Sequence, residues 1–133
     1  MSVTCDTSVL VPLLAGWHPH HHEVRALAED LTHVGAHVLL ETFSVLTRLP
    51  APHRVAPGAA AELLGLLPLT PVTLPADEHA GVIAQLAAQG IRGGAVYDGL
   101  VASTAARHSL LLLTRDRRAR LSYDALQVQY RLV

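Results

Sequence analysis

Short apolar segments alternate with longer amphipathic segments along the whole chain, and this alternation is the feature that most restricts its fold. The apolar segments are predicted to be strands, at about residues 2–5, 36–39, 70–75, 110–113 and 128–133. The intervening segments are predicted to be helices, at about residues 8–15, 20–34, 41–49, 57–67, 76–89, 96–108 and 116–122. Strands that alternate with helices form a parallel sheet covered on both faces. The sequence therefore predicts a three-layer α/β/α fold with a central, mostly parallel sheet of four to five strands.

A chain of 133 residues that is half apolar suits one domain with one core, covering residues 1–133. No apolar run approaches the roughly 20 residues of a membrane-spanning helix, and the N-terminus lacks the pattern of a signal peptide. The one cysteine, Cys5, has no partner for an internal disulfide. Together these features predict a cytoplasmic protein in a reducing environment, with no membrane contact.

The chain contains no lysine, and its ten basic residues are all arginines. The missing lysine excludes the usual forms of P-loop nucleotide binding, Schiff-base chemistry and receiver-type phosphotransfer. Most of the arginines follow residue 90, at Arg92, Arg107, Arg115, Arg117, Arg118, Arg120 and Arg131. This late group is either a solvated surface or a set of phosphate contacts, since a net charge of −1 gives the whole molecule no strong field for nucleic acid.

Four acidic residues fall at the ends of predicted strands or near the start of a predicted helix. Asp6 follows the first predicted strand, Glu41 follows the second and opens a helix, and Asp116 lies just beyond "LLLL". Asp98 lies near the start of the helix after the glycine-rich "GIRGGAV". Because the carboxyl ends of parallel strands meet at one edge of a sheet, we expect these acids to share a crevice. The alternative is that each acid is a helix cap or a solvated residue.

Carboxylates that share a crevice repel each other, and a hard divalent cation relieves that repulsion. Mg²⁺ or Mn²⁺ takes oxygen ligands, keeps several waters and is bound through a few carboxylates. A single cysteine cannot build a cysteine-rich zinc site. A divalent cation beside a phosphate can catalyse the hydrolysis of a phosphodiester. The acids therefore predict metal-dependent phosphodiester hydrolysis.

Four segments, "CDTSVLVPLL", "ETFSVLTRLP", "GGAVYDGLVASTA" and "LLTRDRRA", occur in this order over essentially the full chain. They resemble a PIN domain and, more closely, the VapC ribonuclease toxins of bacterial type II toxin–antitoxin pairs. The resemblance implies a metal-dependent endoribonuclease that cleaves single-stranded regions of RNA. It also implies a homodimer and a small VapB-like antitoxin that inserts an arginine or lysine among the acids.

The resemblance also implies roles for individual residues of this chain. The implied catalytic and metal-binding acids, holding Mg²⁺ or Mn²⁺ directly or through water, are Asp6, Glu41, Asp98 and, less strictly, Asp116. Ser8 and Thr114 match supporting hydroxyl residues near the first and fourth acids. We expect Asp6→Ala or Asp98→Asn to abolish cleavage.

Contacts with RNA are predicted around the acids. Gly93 and Gly94 lack side chains, so their backbone can approach RNA closely. Arg92, Arg115 and Arg117 are candidates for contacts with flanking phosphates.

Two aromatic residues, Trp17 and Tyr97, are candidates for stacking on bases, as in many proteins that bind single strands. Tyr97 is the better candidate because it adjoins Asp98. The alternative for both is packing in the core or at an interface.

The histidine-rich segment "WHPHHHEV" and the cysteine have simpler interpretations. Adjacent histidines on a helix do not share a face, and no second cluster at ligand spacing accompanies them. The cluster His18, His20, His21 and His22 is therefore predicted to be a solvated helix start, with substrate contact as the alternative. Cys5, next to Asp6 on a strand, should point the opposite way, into the core.

Two further functions remain open at this point. The chain could be a nuclease of the same fold that processes RNA or cleaves DNA, or a catalytically silent binding module. The presence of all four acids disfavours the silent module.

Overall fold

The computed structural model describes residues 1–133 as short strands alternating with helices. The strands are β1 (Val3–Cys5), β2 (His33–Gly35), β3 (Thr70–Val72), β4 (Leu111–Thr114) and β5 (Tyr130–Leu132). The helices are α1 (Thr7–Leu14), α2 (His21–Arg25), α3 (Ala36–Arg48), α4 (Pro57–Gly65), α5 (His79–Ala88), α6 (Ala95–Arg107) and α7 (Arg120–Ala125). Single 3₁₀ turns occur at Ala28–Asp30 and Ala76–Glu78. Not one of these helices has both the length and the apolar character needed to cross a membrane.

All strand pairs are parallel, which confirms the predicted α/β fold. The sheet is divided into a three-stranded part, in the order β1–β4–β5, and a separate pair, β2–β3. The division lies at Thr32. Its backbone N–H donates to the Val3 carbonyl at 2.9 Å, but the Val3 N–H donates to the Thr32 hydroxyl instead of a backbone carbonyl. The side chain of Thr32 thus interrupts the backbone ladder between the two parts.

The segment between residues 20 and 41 differs from the sequence-based prediction. The predicted helix over 20–34 is wrong, because α2 ends at Arg25 and the backbone is already extended at Leu31 (ψ 132°). The predicted strand over 36–39 is also wrong, because the strand lies three residues earlier and residue 36 already begins α3. Gly35 therefore ends a strand and caps the next helix, instead of ending a helix.

The physical reason lies in the spacing of the buried residues. Val38, Thr42 and Leu46 are buried and lie four residues apart, so they share one face of a helix. Strand β2 buries only Val34, and one buried residue is too weak a pattern to recognise in the sequence.

The main core surrounds the three-stranded part of the sheet. Cys5 and Leu112 are wholly buried, and Ala102 and Ala105 on α6 pack into the same cluster. The predicted burial of Cys5 is confirmed, and that burial raises the pKa of its thiol. A smaller cluster of Val11, Leu46 and Ala60 joins α1, α3 and α4.

The register of β1 and β4 positions the functional edge of the molecule. Cys5, the last residue of β1, lies opposite Leu113, the penultimate residue of β4. The next residue, Asp6, donates its backbone N–H to the Leu113 carbonyl at 3.2 Å. Asp6 and the loop after Thr114 therefore emerge side by side at the carboxyl edge of the sheet.

Candidate active site

Asp6 is buried and forms the N-cap of α1. Its Oδ1 accepts hydrogen bonds from the backbone N–H of Ser8, at 3.1 Å, and from the Ser8 hydroxyl. Its Oδ2 accepts from the hydroxyls of Thr114 and Tyr123, the latter at 2.7 Å. A carboxylate has about four lone-pair sites, so donors of the chain hold this carboxylate in one orientation. Burial raises the pKa of Asp6, and these hydrogen bonds oppose that rise.

Tyr123 is a member of this site that the sequence did not predict. Its side chain is 1% exposed on α7, and the predicted helix ended one residue before it. Burial, followed by the charge of Asp6, raises the pKa of the phenol, so the hydroxyl stays protonated and donates. The only clue in the sequence is general: a buried tyrosine needs a hydrogen-bond partner for its hydroxyl. No spacing pattern connects Tyr123 with Asp6, which is 117 positions away.

The hydroxyls of Ser8 and Thr114 also hold the loop that follows β4. Ser8 Oγ accepts from the backbone N–H of Arg115 at 2.7 Å, and Thr114 Oγ1 accepts from the backbone N–H of Asp116 at 3.1 Å. The carboxylate of Asp116 in turn accepts from the backbone N–H of Arg118 at 2.9 Å. The same two hydroxyls therefore orient Asp6 and anchor the loop that carries Asp116.

The four predicted acids line one cavity of about 40 Å³. Its lining residues are Asp6, Thr7, Ser8, Glu41, Asp98, Val101 and Asp116. We call this cavity the acidic pocket. A cavity needs about 10–15 Å³ to hold one water molecule, so the acidic pocket has room for a small ion with a few waters.

Glu41 reaches the acidic pocket from a different position than predicted. It does not open a helix after a strand but lies inside α3, five residues after Ala36. His37, one turn earlier, places Nε2 3.2 Å from Glu41 Oε2. The predicted strand over 36–39 hid this pair, because only a helix brings residues four apart together.

The ring of His37 lies against the ring of Tyr97, next to Asp98 on α6. The ring centroids are 5.5 Å apart and the planes differ by 9°. This stacked pair connects α3 with α6, the two helices that carry Glu41 and Asp98.

The charge of the acidic pocket is not balanced by basic side chains. No arginine forms an ion pair with any of the four acids, and only Glu41 has a partner, His37. Burial raises the pKa of Asp98 to about 6, with further contributions from the charges of Asp116, Asp6 and Glu41. This response of Asp98 to the other acids shows that all four share one electrostatic environment.

The donor atoms of the acidic pocket fit a hard cation, since all are carboxylate or hydroxyl oxygens. The hydroxyl of Thr7 is buried there without a hydrogen-bond partner. No three His, Cys, Asp or Glu side chains stand as a ready-made chelating group. Mg²⁺ is commonly bound through one or two carboxylates, with waters completing its shell, and the oxygens of this pocket suit that mode.

The residues predicted to contact RNA lie in two loops beside the acidic pocket. Arg92, Gly93 and Gly94 are in the loop before α6, and Gly93 has a positive φ of 63°. Arg117 is exposed after β4. The guanidinium of Arg115 turns instead toward the carboxylate of Glu23, at 3.5 Å, and the carbonyl of Val133, at 3.4 Å.

The aromatic and histidine candidates are at the surface. Trp17 is 44% and Tyr97 is 56% exposed, so neither belongs to the core. Trp17 stacks on His53 with ring centroids 4.0 Å apart. The histidine cluster marks a helix start, as predicted, because His20 precedes α2 and His21 begins it.

Comparison with known proteins gives three consistent findings. The PIN domain family matches residues 3–123. Ribonuclease VapC40 of Mycobacterium tuberculosis is 46% identical over 130 residues, which cover 96% of each chain. Among solved structures, VapC20 of M. tuberculosis, described as a sarcin-ricin loop cleaving toxin, superposes with a TM-score of 0.71 at 20% identity, over 90% of this chain and 93% of its own.

A fourth similarity involves a complex. VapBC2 from Rickettsia felis, solved bound to a DNA fragment from its promoter, matches with a TM-score of 0.68 at 16% identity, over 100% of this chain and 99% of the matched chain. At such identities the two solved structures support the fold alone.

Proposed function

Since this chain belongs to the PIN-domain family and within it to the VapC-type ribonucleases, we propose that it is an endoribonuclease that depends on Mg²⁺ or Mn²⁺ and cleaves single-stranded regions of RNA. We further propose that it is the toxin of a toxin–antitoxin pair and that residues 1–133 form a single PIN domain. The resemblance indicated by the four sequence motifs is confirmed at the level of the family.

One observation carries this proposal: four carboxylates line a small cavity in which no arginine neutralises them. Maintaining such mutual repulsion costs stability, and it adds to the effect of burial, the main cause of the raised pKa of Asp98. A divalent cation bound at this site would neutralise the carboxylates, and their unbalanced negative charge would attract it. A solely structural role for the four acids would not require them to share a cavity.

The proposed metal-binding acids are Asp6, Glu41, Asp98 and, less strictly, Asp116, each acting directly or through water. Bound Mg²⁺ or Mn²⁺ would supply Lewis-acid stabilisation of the phosphate and a lowered pKa for an attacking water. The chain's own contribution is orientation. Ser8, through its hydroxyl and backbone N–H, holds the Asp6 carboxylate in position before any substrate arrives, which lowers the cost of organising the reaction.

The substrate would enter beside the two loops that flank the acidic pocket. Arg92 and Arg117 are exposed and able to contact phosphates, whereas Arg115 would first have to leave Glu23. Gly93 and Gly94 allow close approach, because an added Cβ at either position would meet no atom within 4 Å. These contacts would not depend on the base sequence of the RNA, and they would position its strand across the acids.

The proposed partners are RNA, a VapB-like antitoxin and a second copy of this chain. The antitoxin partner is proposed by analogy with VapBC2, a complex in which one chain has this fold. An antitoxin arginine or lysine that entered the acidic pocket would neutralise charge that the chain leaves unpaired. We also propose a cytoplasmic location, where RNA substrates are found.

The experiment that tests the function is cleavage of total bacterial RNA by the purified protein, with the new ends mapped by sequencing. Cleavage should require Mg²⁺ or Mn²⁺ and should disappear with EDTA or in Asp98→Asn. Asp77→Asn, at an exposed acid outside the pocket, is the matched control and should cleave normally. Full activity of Asp98→Asn would contradict the assignment, and cleavage of single-stranded DNA in place of RNA would redirect it to the DNA nuclease alternative.

Asp98→Asn is a cleaner variant than Asp6→Ala. Removing the Asp6 carboxylate leaves the half-buried hydroxyl of Ser8 and the buried hydroxyls of Thr114 and Tyr123 without their acceptor, which costs stability as well as activity. The toxin role is tested separately, by growth arrest on induction and its relief by co-expression of the neighbouring antitoxin gene.

A further inference from the structure

Tyr97 and His37 form an aromatic pair, and Nε2 of His37 lies 3.2 Å from the carboxylate of Glu41, one of the acids that line the acidic pocket. Their rings are nearly parallel, at 9°, with centroids 5.5 Å apart. Each ring belongs to a helix that supplies a pocket acid: Tyr97 directly precedes Asp98 on α6, and His37 lies one turn before Glu41 on α3. The pair is therefore built into the same framework as the acids.

The fold itself makes little use of the Tyr97 side chain. It is 56% exposed, and its hydroxyl forms no hydrogen bond with any other residue of the chain. The other tyrosines are engaged: the hydroxyl of Tyr123 donates to Asp6 and that of Tyr130 donates to Asp124. Most of the Tyr97 ring is thus available to a ligand beside the acids.

The His37 ring lies parallel to the Tyr97 ring and its side chain is only 30% exposed, with Nε2 3.2 Å from Glu41 Oε2 but without a hydrogen bond to it. A ring supported on one face by another ring loses less conformational entropy when a ligand stacks on it. The support therefore favours binding of a flat group.

We propose that Tyr97, supported by His37, is the stacking platform for one unpaired base of the RNA, the base adjacent to the phosphate held at the acidic pocket. This inference rests on the proposed ribonuclease function and adds a substrate contact to it. Bases of single-stranded RNA are unstacked and recognised largely by aromatic side chains. The His37 ring that lies parallel to Tyr97 places Nε2 3.2 Å from the carboxylate of Glu41, so a base on the platform would belong to a nucleotide close to the phosphate at the acidic pocket.

The test measures binding separately from cleavage. A fluorescein-labelled, unstructured 12-nucleotide RNA is titrated by fluorescence anisotropy with full-length protein carrying Asp98→Asn, in the presence of Mg²⁺. Adding Tyr97→Ala should raise the Kd about tenfold, whereas Tyr97→Phe, which keeps the ring, should change it less than about twofold. Leu66→Ala, at an exposed apolar residue outside the acidic pocket, should also leave the Kd within about twofold.

A scan of single abasic nucleotides through the same RNA identifies the contacted base. One abasic position should cost the Tyr97-containing protein about tenfold in Kd and should cost the Tyr97→Ala protein nothing, because the contact is already lost. If the abasic nucleotide and Tyr97→Ala each raised the Kd and the two factors multiplied, the base and Tyr97 would not be in contact, and the inference would be overturned. An unchanged Kd in Tyr97→Ala, an equal loss in Leu66→Ala, or no measurable binding of the RNA would also overturn it.

Two further measurements distinguish base stacking by Tyr97 from a role in self-association and from failure of the ribonuclease function. If Tyr97→Ala disrupted self-association, measured by light scattering, Tyr97 would be an interface residue and the inference would fall. If the unmodified protein cleaves RNA while Tyr97→Ala binds RNA normally, only the inference fails. If the unmodified protein cleaves no RNA with either metal, the proposed function itself fails.

Discussion

The hydroxyl of Tyr123 donates a 2.7 Å hydrogen bond to Oδ2 of Asp6, although the two residues are 117 positions apart. Both are buried, and Thr114 donates to the same oxygen. This contact ties α7, near the end of the chain, to the first acid of the pocket. The position of Asp6 therefore depends on an element that contributes no carboxylate to the pocket.

Tyr123→Phe removes this hydrogen bond without removing the ring. Because hydrogen bonds to charged groups contribute about 1.5–3 kcal/mol, we expect the free energy of unfolding at pH 7.5 to fall by that amount, as measured by urea denaturation. Tyr130→Phe is a matched control: it removes an equally long, 2.7 Å bond to a carboxylate, but at the exposed surface. Because water can replace this exposed bond, its loss should cost about 0.5 kcal/mol or less. Equal losses in both variants would mean that burial adds nothing to the Asp6 contact.

Metal binding should depend on pH through Asp98. Its pKa is raised to about 6 in the metal-free protein, chiefly by burial and then by the neighbouring acids. Protons compete with the metal for this carboxylate, so below pH 6 the affinity for Mn²⁺ should fall about tenfold per pH unit. Calorimetric titration between pH 7.5 and 5 measures this. In Asp98→Asn the weaker residual affinity should vary less with pH, and a flat profile in the unmodified protein would contradict the prediction.

Asp98→Asn should stabilise the metal-free protein at neutral pH. Because the folded pKa of Asp98 lies above the ordinary value of 3.8, its contribution to stability is fully present below 3.8 and is lost as the pH rises through about 6. Allowing for solvent screening of a half-buried group, we expect a gain of about 1 kcal/mol at pH 7.5. The gain should shrink toward pH 4.5, and added Mg²⁺ should stabilise the unmodified protein more than the variant.

The control for this stability measurement is Asp77→Asn, which removes an exposed charge outside the acidic pocket. It should change the unfolding free energy by less than about 0.5 kcal/mol. A metal-free Asp98→Asn protein that is less stable than the unmodified one at pH 7.5 would contradict the prediction that burial of the Asp98 charge and repulsion from the other acids destabilise the folded protein.

Arg92→Ala should weaken RNA binding in a salt-dependent way. If Arg92 contacts one phosphate, the slope of log affinity against log salt should decrease by about 0.7, the value for a single strand. Arg107→Ala is the control, because Arg107 pairs with Glu78 at 2.8 Å and lies nine residues beyond Asp98 on α6, roughly 13 Å away. In Arg107→Ala, the slope of log affinity against log salt should stay the same. An unchanged slope in Arg92→Ala would remove Arg92 from the RNA contacts.

Residues 33–41 form the segment in which a wrong secondary-structure prediction affected the description of the site. The predicted α/β class, the parallel strands and the burial of Cys5 are confirmed, since each follows from a local pattern of apolar residues. The strand predicted over 36–39 is wrong, and this error hid the pairing of His37 with Glu41. A three-residue strand with one buried side chain leaves almost no periodic signal.

The type of chemistry could be predicted from the amino-acid sequence alone. The four acids, the missing lysine and the alternation of strands and helices are properties of residue type and local order, and these are visible without coordinates. Which side chains meet became visible only in the folded chain. The contacts of Tyr123 with Asp6 and of His37 with Tyr97 join distant segments, and such contacts depend on how parallel strands and their helices pack, which no local spacing encodes.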